Sequence, residues 1–245
     1  RSRGMVIGKG SQGSRVMRIL ERENYYNVIN GYKELFLASK ATATADEAYK
    51  TGTTFDEVYA LYNFDRELRN IYLKYLLKLE NTFKTVIAHE FSAKYGHDNY
   101  LKIENFDNST ERNISSSIKL IGDIQQEIAR QMSKHHQVVT DYMTEHRYIP
   151  LWVLVNVLTF GKIENFSVLG IVRAADGSYT YGTNDAYAIA IMFALLLSKS
   201  DLNDFISSMR TAFGKLQKQL HTISAADIMS IMGYDTNWTN LVNLI

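Results

Sequence analysis

Apolar residues recur at helical spacing along most of this chain, and the clearest pattern begins at residue 54. Thr54-Phe-Asp-Glu57 has the form of a capping box, in which each end residue's side chain accepts a hydrogen bond from the other's backbone N–H. At about 100° per residue, one face of the following helix collects the apolar residues Phe64, Leu68, Ile71, Tyr75, Leu79 and Val86. The pattern predicts a long amphipathic helix from Thr54 to about Tyr95.

The same helix also holds charge beside apolar residues. The charged residues of this sector are Asp65, Arg66, Arg69, Glu80 and Lys84, and the apolar ones are Tyr62, Leu73 and Leu76. One interpretation is two exposed ion pairs, Asp65 with Arg69 and Glu80 with Lys84, each worth about 0.2–0.5 kcal/mol. The other is a half-buried polar cluster that positions a phosphate or a catalytic side chain, because charge beside apolar surface costs stability unless it is paired or used. Both can hold together.

The rest of the chain predicts further helices joined by short connections. Ser14 can cap a first helix that runs to about Ala38 with a possible break at Gly31, and residues 39–53 and 96–108 predict connecting loops. The chain has one proline, which favours long helices because proline interrupts them. The further predicted helices cover residues 110–144, 150–160, 185–198, 201–221 and 224–232, with a loop over 176–184. We therefore predict an all-α fold and one domain over residues 1–245.

Composition narrows the function classes. The formal net charge of +1 gives no overall basic field, so any nucleic-acid contact must come from a local patch. The absence of cysteine excludes thiolate catalysis, disulfides and cysteine-bound zinc. The longest apolar run, Ala186–Leu197, has about 12 residues, whereas a membrane span needs about 20. Since the first residues also lack the apolar segment of a secretion signal, we expect a cytoplasmic protein with no membrane partner.

Five segments follow one another in a recognisable order, and they are Asn24–Lys33, Thr54–Arg69, Tyr100-Leu101, Ile149–Gly161 and Met232–Trp238. In that order they resemble the abortive-infection proteins of the AbiD/AbiF type, which are members of the HEPN superfamily. The resemblance implies an all-helical HEPN-like fold with additional flanking helices, a role in phage defence or toxicity, and RNA as the substrate. It also implies a homodimer and a small non-coding RNA partner that restrains the protein.

The resemblance fails at the nuclease motif. HEPN nucleases carry an arginine followed a few residues later by a histidine, and we expect this pair between Phe166 and Tyr181. That stretch contains Arg173 and no histidine. The helical period also breaks abruptly near 169–175, which indicates a gap or a deletion. Three explanations stay open, namely a genuine loss of the nuclease element, an engineered deletion, or a mobile segment that the sequence does not contain.

Two other cation–histidine pairs could substitute for the missing motif. RNA cleavage without a metal needs a base, an acid and a cation, which histidine and arginine or lysine supply. The pairs are Arg130 with His135 and Lys84 with His89. Residues five apart point about 140° apart on a regular helix, so neither pair converges unless the helix breaks between its members. Solvated or packed side chains explain both pairs equally well.

Other candidate chemistry is limited. Four tyrosines, Tyr25, Tyr26, Tyr32 and Tyr62, could stack on RNA bases, although tyrosines in helical proteins also serve as core and half-buried surface. The histidines lack the spacing of a closed metal site, and nothing predicts a cofactor. We expect an endoribonuclease that works without a metal. The alternatives are a non-catalytic RNA-binding scaffold and a helical protein-interaction module, both without the nuclease element.

Overall fold

The fold, taken from a computed structural model, is described for residues 3–159, 185–234 and 237–244. The α-helices are α1 (Ser11–Glu23), α2 (Phe55–Tyr95), α3 (Glu111–Ser133), α4 (Gln137–Glu145), α5 (Leu151–Leu154), α6 (Asp185–Leu196), α7 (Lys199–Gln217) and α8 (Ala225–Ile231). A π-helix covers Tyr26–Asn30, and 3₁₀-helices cover Lys33–Phe36, Ile103–Asn105 and Trp238–Leu244. Strands β1 (Leu37–Ser39) and β2 (Ala48–Tyr49) form an antiparallel pair. The predicted all-α class is confirmed.

The chain divides into two compact units. Unit 1 comprises Arg1–Leu76 and Thr180–Ile245, and unit 2 comprises Leu77–Tyr179. Helix α2 contributes residues to both units. The expected single domain over residues 1–245 stays a prediction, and the expected gap or deletion near 169–175 lies outside the described residues.

Helix α2 begins as its sequence predicts. The Glu57 N–H donates to Thr54 Oγ1 at 3.2 Å, and the Thr54 N–H donates to Glu57 Oε2 at 3.0 Å. The other oxygen of Glu57 accepts hydrogen bonds at 2.7 Å from the backbone N–H groups of His221 and Thr222. Glu57 is fully buried. This capping carboxylate therefore also ties the start of α2 to the chain that follows α7, within unit 1.

The predicted apolar face of α2 is correct in its first half and wrong at its end. Phe64, Tyr75 and Leu79 are buried, whereas Val86 is 48% exposed and Ile87 is buried instead. Residues four apart are rotated by about 40° from one another on a helix, so burial at Leu79, Ile87 and Phe91 turns the buried stripe away from Val86.

The predicted first helix is wrong beyond Glu23. Asn24 takes a positive φ of 67° and its side chain accepts a hydrogen bond from the Tyr26 N–H at 2.9 Å. Asparagine tolerates this left-handed backbone, which ends α1. The following residues form the π-helix and then β1, and the predicted loop over 39–53 contains β2.

Two other predicted helices are also shorter in the structure. The predicted helix over 110–144 is divided into α3 and α4, because His135 adopts a φ of +54° between them. The predicted helix over 150–160 gives way to turns after Leu154. Helices α6, α7 and α8 confirm the three predicted C-terminal helices with shifted ends.

Each unit has an aromatic core. In unit 1, Tyr75 and Phe193 pack against Phe205 with ring centroids 5.3 and 5.0 Å apart, and the hydroxyls of Tyr72 and Tyr234 form a buried hydrogen bond. In unit 2, the core includes Ile87, Phe91, Tyr100, Ile124, Ile149 and Leu154. Among the described residues, no helix has both the length and the apolar character needed to cross a membrane.

Candidate functional site

Unit 1 contains a polar aromatic cavity of about 570 Å³. We call it the tyrosine pocket, and its lining residues are Tyr26, Asn27, Asn30, Gly31, Tyr32, Tyr62 and Arg69. The π-helix supplies three of these residues, and α2 supplies two. Short π-helical segments are rare and often occur at functional sites. At Gly31 an added Cβ would lie 2.8 Å from the Asn27 carbonyl oxygen, so this turn requires glycine.

Asp65 organises one wall of the tyrosine pocket. The Tyr32 hydroxyl donates to Asp65 Oδ2 at 2.5 Å, and the Arg69 guanidinium forms an ion pair with the same carboxylate. Burial, together with the hydrogen bond to Asp65, raises the pKa of Tyr32, so its hydroxyl stays a donor. Asp65 thereby fixes both a phenol ring and a guanidinium at the pocket.

Glu23 organises the groups around the Tyr62 hydroxyl. Its carboxylate accepts hydrogen bonds from the Tyr62 hydroxyl at 3.1 Å, from Arg66 at 3.2 Å and from Arg22 at 3.0 Å. Burial acts to raise the pKa of Glu23, but the hydrogen bonds from Arg22 and Tyr62 and the charge of Arg66 outweigh it and lower the pKa. Glu23 therefore stays ionised and holds Tyr62 in place.

The side chains bonded to Asp65 and Glu23 form one network of rings and charges. Tyr32 and Tyr62 meet edge to face, with centroids 5.8 Å apart and planes at 81°. Tyr62 also stacks on Tyr59, with ring centroids 5.9 Å apart. Three guanidinium groups, those of Arg22, Arg66 and Arg69, face two carboxylates. The network carries a net positive charge.

Unit 2 contains a second cavity, of about 660 Å³, which we call the histidine groove. Its polar and aromatic lining includes Asn81, Lys84, His89, His97, Trp152 and Asn156. The last turns of α2 present the first three of these residues. Helix α5 and the turn after it present Trp152 and Asn156.

A glycine places His97 at this groove. Helix α2 ends at Tyr95, and Gly96 follows with a φ of +89°. Glycine is the usual residue at this position after a helix, because a Cβ is strained there. His97 comes next, and its carbonyl oxygen accepts a hydrogen bond from the Leu151 N–H at 2.8 Å. The chain is thus turned so that the end of α2 meets the start of α5.

The His97 ring is held by aromatic neighbours. Its Nε2 lies 3.2 Å from the Tyr148 hydroxyl. The ring centroid lies 5.3 Å from that of Tyr148 and 5.3 Å from that of Trp152. Trp152 is half exposed. This leaves indole surface available beside an oriented imidazole.

The structure brings Lys84 and His89 to the same groove, although five residues separate them. Lys84 pairs with Glu80 at 2.7 Å, and its side chain is 12% exposed. His89 is exposed, and its Nδ1 lies 3.1 Å from Glu90 Oε1. The groove is wide enough for side chains from both edges of this helix face to line it.

The structure does not bring Arg130 and His135 to one cavity. Arg130 forms an ion pair with the buried carboxylate of Glu127, to which Gln131 also donates at 2.7 Å. A surface cavity of about 560 Å³ is lined by Arg130, Glu127 and Ser133, but not by His135. Arg130 is thus engaged in neutralising a buried charge.

The charged residues of α2 are divided between the two units. Asp65, Arg66 and Arg69 belong to unit 1, and Glu80 and Lys84 belong to unit 2. Both predicted ion pairs are present, but that of Glu80 with Lys84 is largely buried, with side chains 26% and 12% exposed, rather than exposed as predicted. Tyr26 lines the tyrosine pocket, whereas its neighbour Tyr25 lines a separate cavity with Arg3 and Glu47.

Tyr32 and Tyr62, which were predicted to stack on bases, line the tyrosine pocket. Sequence reasoning missed His97, Trp152 and Asn30 at these cavities. A signal existed for two of them, since His97 follows a glycine at a helix end and Trp152 follows the single proline by two residues. Among the residues that the structure describes, no three histidine, aspartate or glutamate side chains are grouped as metal ligands.

The fold and its cavities define an all-helical protein with two polar aromatic sites, one in each compact unit. A family model described as Abi-like protein matches residues 18–226. The chain therefore belongs to the Abi-like family of abortive-infection proteins. No curated protein and no solved structure shows significant similarity to the chain.

Proposed function

We propose that this Abi-like protein acts in phage defence as a HEPN-type endoribonuclease that needs no metal. One observation carries the proposal: two histidines, a lysine and a half-exposed tryptophan line the histidine groove together. The two histidines and the lysine supply the base, the acid and the positive charge that RNA cleavage without a metal requires. The tryptophan supplies a surface on which a base can stack.

The chemistry assigns a role to each side chain. The 2′-hydroxyl of a ribose attacks the adjacent phosphorus and loses its proton to His97, while the bond from phosphorus to the 5′-oxygen breaks. His89 gives a proton to that leaving oxygen, and Lys84 stabilises the charge on the phosphate oxygens. Trp152 stacks on a base. Imidazole suits both proton transfers, because it exchanges protons near neutral pH.

Preorganisation favours His97 as the base. Its ring is held by Tyr148 and Trp152, and its backbone is tied to Leu151, so little reorganisation is needed when RNA binds. His89 lies on the last turns of α2, before the helix ends at Tyr95, and it lines the same groove as His97. RNA that binds along this groove therefore passes both imidazoles.

Cleavage of end-labelled single-stranded RNA in EDTA tests the proposal. We expect cleavage by the full chain, and a loss of about 100-fold or more in rate in His97→Ala and in His89→Ala, as for other acid–base groups. His136→Ala is the matched control, because this exposed histidine does not line the groove. Full activity in His97→Ala, or no cleavage by the unaltered chain, contradicts the proposal.

A non-catalytic RNA-binding scaffold is the second candidate function. The observation that favours it is that Lys84 is already paired with Glu80 and His89 with Glu90. Such a groove can hold RNA through Trp152 and the asparagine side chains without transferring protons. The same assay separates the two functions, since a scaffold retains labelled RNA on a filter and leaves it intact.

The proposal also includes a homodimer and a small non-coding RNA that restrains cleavage. Both are implied by the family resemblance. Mass measurement of the purified protein under native conditions tests them together. We expect twice the chain mass of 28.0 kDa plus the mass of bound RNA. A nuclease-treated sample then shows the dimer alone.

A further inference from the structure

We infer that the tyrosine pocket binds a nucleoside monophosphate unit. This inference goes beyond the cleavage proposed for the histidine groove and does not depend on it. It rests on the size of the pocket, on the rings and amides in its wall, and on the guanidinium at its edge. The volume of about 570 Å³ falls within the range of about 300–1,000 Å³ that is typical of small-molecule sites.

The ring system of the pocket is suited to a base. The hydroxyls of Tyr32 and Tyr62 donate to Asp65 and Glu23, so their rings are held in fixed orientations before any ligand binds. Tyr26 is 69% exposed, so its ring face is accessible to a ligand. A planar base can stack on this ring while the other two rings form the adjoining wall.

Asn27 and Asn30 add hydrogen-bonding groups beside these rings. A carboxamide offers both donors and an acceptor, which match the edge of any base. The two asparagines therefore favour a base over a purely aliphatic or purely anionic ligand. They do not select one base strongly, since each side-chain amide can present either its NH₂ donor or its oxygen acceptor.

Arg69 is suited to a phosphate. Its Nε donates to the Asp65 carbonyl oxygen, and its Nη2 pairs with the Asp65 carboxylate. The side chain is nevertheless 65% exposed, and a guanidinium carries five N–H donors. Donors therefore remain at the pocket edge on a side chain whose position is already set. The net positive charge of the surrounding network further favours an anion.

A base beside an anion describes a nucleotide, which can be free in solution or part of an RNA chain. Isothermal titration of the full chain with AMP, adenosine and inorganic phosphate tests this chemistry. We expect AMP to bind about tenfold more tightly than adenosine and than phosphate, because only AMP fills both parts of the pocket. A short single-stranded RNA, added as a competitor, then identifies the source.

Matched variants locate the binding. Tyr26→Ala and Arg69→Gln are expected to weaken AMP binding by about tenfold. Their controls are Tyr25→Ala, an adjacent exposed tyrosine at another cavity, and Arg18→Gln, an exposed arginine of α1 outside the pocket. The controls are expected to stay within twofold of the unaltered chain. Because all four positions are exposed, the helical circular dichroism should be unchanged.

Two results overturn the inference. One is the absence of AMP binding by the unaltered chain, and the other is an equal loss in Tyr25→Ala and Tyr26→Ala. Competition by RNA assigns the pocket to a nucleotide of an RNA chain, and lack of competition assigns it to a free nucleotide. Failure of the proposed cleavage is recognised separately, by the RNA gel assay with His97→Ala, in which AMP binding is unaffected.

Discussion

At the scale of single residues, Glu57 shows how one carboxylate can stabilise several segments. It is fully buried, and it accepts hydrogen bonds from backbone N–H groups of Thr54, His221 and Thr222. Burial acts to raise the pKa of Glu57, but these N–H groups outweigh that effect and lower it. The folded protein therefore favours the ionised form of the Glu57 carboxylate.

Replacing Glu57 by glutamine should destabilise the protein. We expect a loss of about 2–3 kcal/mol in the free energy of unfolding at pH 7, since hydrogen bonds to a charged group are replaced by weaker ones and an amide N–H₂ faces other donors. Urea unfolding followed by circular dichroism measures it. Glu34→Gln is the control, because Glu34 is exposed and pairs with the equally exposed Lys40 at 3.4 Å.

The pH dependence follows from the lowered pKa of Glu57. Its contribution is fully present above the pKa of the unfolded chain, about 4.3, and is lost as the pH falls through the lower pKa of the folded protein. The difference between the unaltered chain and Glu57→Gln should therefore shrink as the pH falls below about 4. A difference that stays constant down to pH 3 would mean that charge is not the cause.

The sequence predicted only part of the hydrogen bonding of Glu57. The capping box follows from Thr54 and Glu57 alone, because its two residues are three apart. The bonds to His221 and Thr222 join positions 164 and 165 residues away, which no local pattern reveals. The same holds for Tyr32, whose hydroxyl donates to Asp65 of α2, 33 residues away.

At the scale of elements, helical periodicity predicted α2 almost to its last residue. It failed where one backbone angle changes the path of the chain. Asn24 and His135 have positive φ values, and sequence alone does not mark them because asparagine and histidine also occur in ordinary helices. The strand pair β1 and β2 was missed because such short strands form through contacts with each other.

Gly96 is the positive-φ position with a direct bearing on the histidine groove. In Gly96→Ala the new Cβ would be strained at this φ and would lie 2.8 Å from Asn99 Nδ2. Asn99 cannot easily move away, because it donates to the Tyr95 carbonyl at 2.6 Å. We expect a loss of about 1–2 kcal/mol in stability and a displacement of His97.

Thermal unfolding and RNA cleavage measure these two effects of Gly96→Ala. The matched control is Gly122→Ala in the middle of α3, where nothing lies within 4 Å of the added Cβ. Alanine should there stabilise the helix by about 0.5–1 kcal/mol. If Gly96→Ala cleaves RNA at the normal rate, the turn at the end of α2 does not position the groove histidine.

At the scale of the whole molecule, the net charge of +1 limits how RNA can be bound. Phosphate contacts must come from a local patch, and Lys84 is the lysine that lines the histidine groove. Each contact with a single strand contributes a slope of about −0.7 to the logarithmic salt dependence of affinity. One or two contacts therefore predict a shallow slope of about −0.7 to −1.4.

Filter binding of labelled RNA over a range of salt concentrations checks this slope. Lys84→Gln should flatten it by about 0.7, whereas Lys119→Gln, an exposed lysine of α3, should leave it unchanged. A slope several times steeper would place RNA on a more basic surface than the groove. It would also argue that stacking on Trp152 contributes less than charge.

The family was recognisable from ordered motifs, whereas the cavities were not. Several motif residues prove to be core: the Tyr100 hydroxyl donates to the Ile149 carbonyl at 2.8 Å, and Trp238 packs against Tyr234 at 5.3 Å. Such residues preserve the fold, whereas the residues that line the tyrosine pocket lie in the motifs Asn24–Lys33 and Thr54–Arg69. The motifs therefore contain both core and cavity residues, which sequence order alone does not separate. The groove joins His97 to Trp152 across 55 positions, and only folding brings them together.

Each unit has a buried phenol whose absorbance can show when that unit opens at alkaline pH. Burial raises the pKa of Tyr72 in unit 1 and of Tyr100 in unit 2 to about 12. Each phenol therefore stabilises its unit below the ordinary tyrosine pKa of about 10, and that stabilisation is lost as the pH rises toward the higher value. The phenolate absorbance of these two residues thus appears late, and its loss in Tyr72→Phe or in Tyr100→Phe identifies the part that comes from each unit.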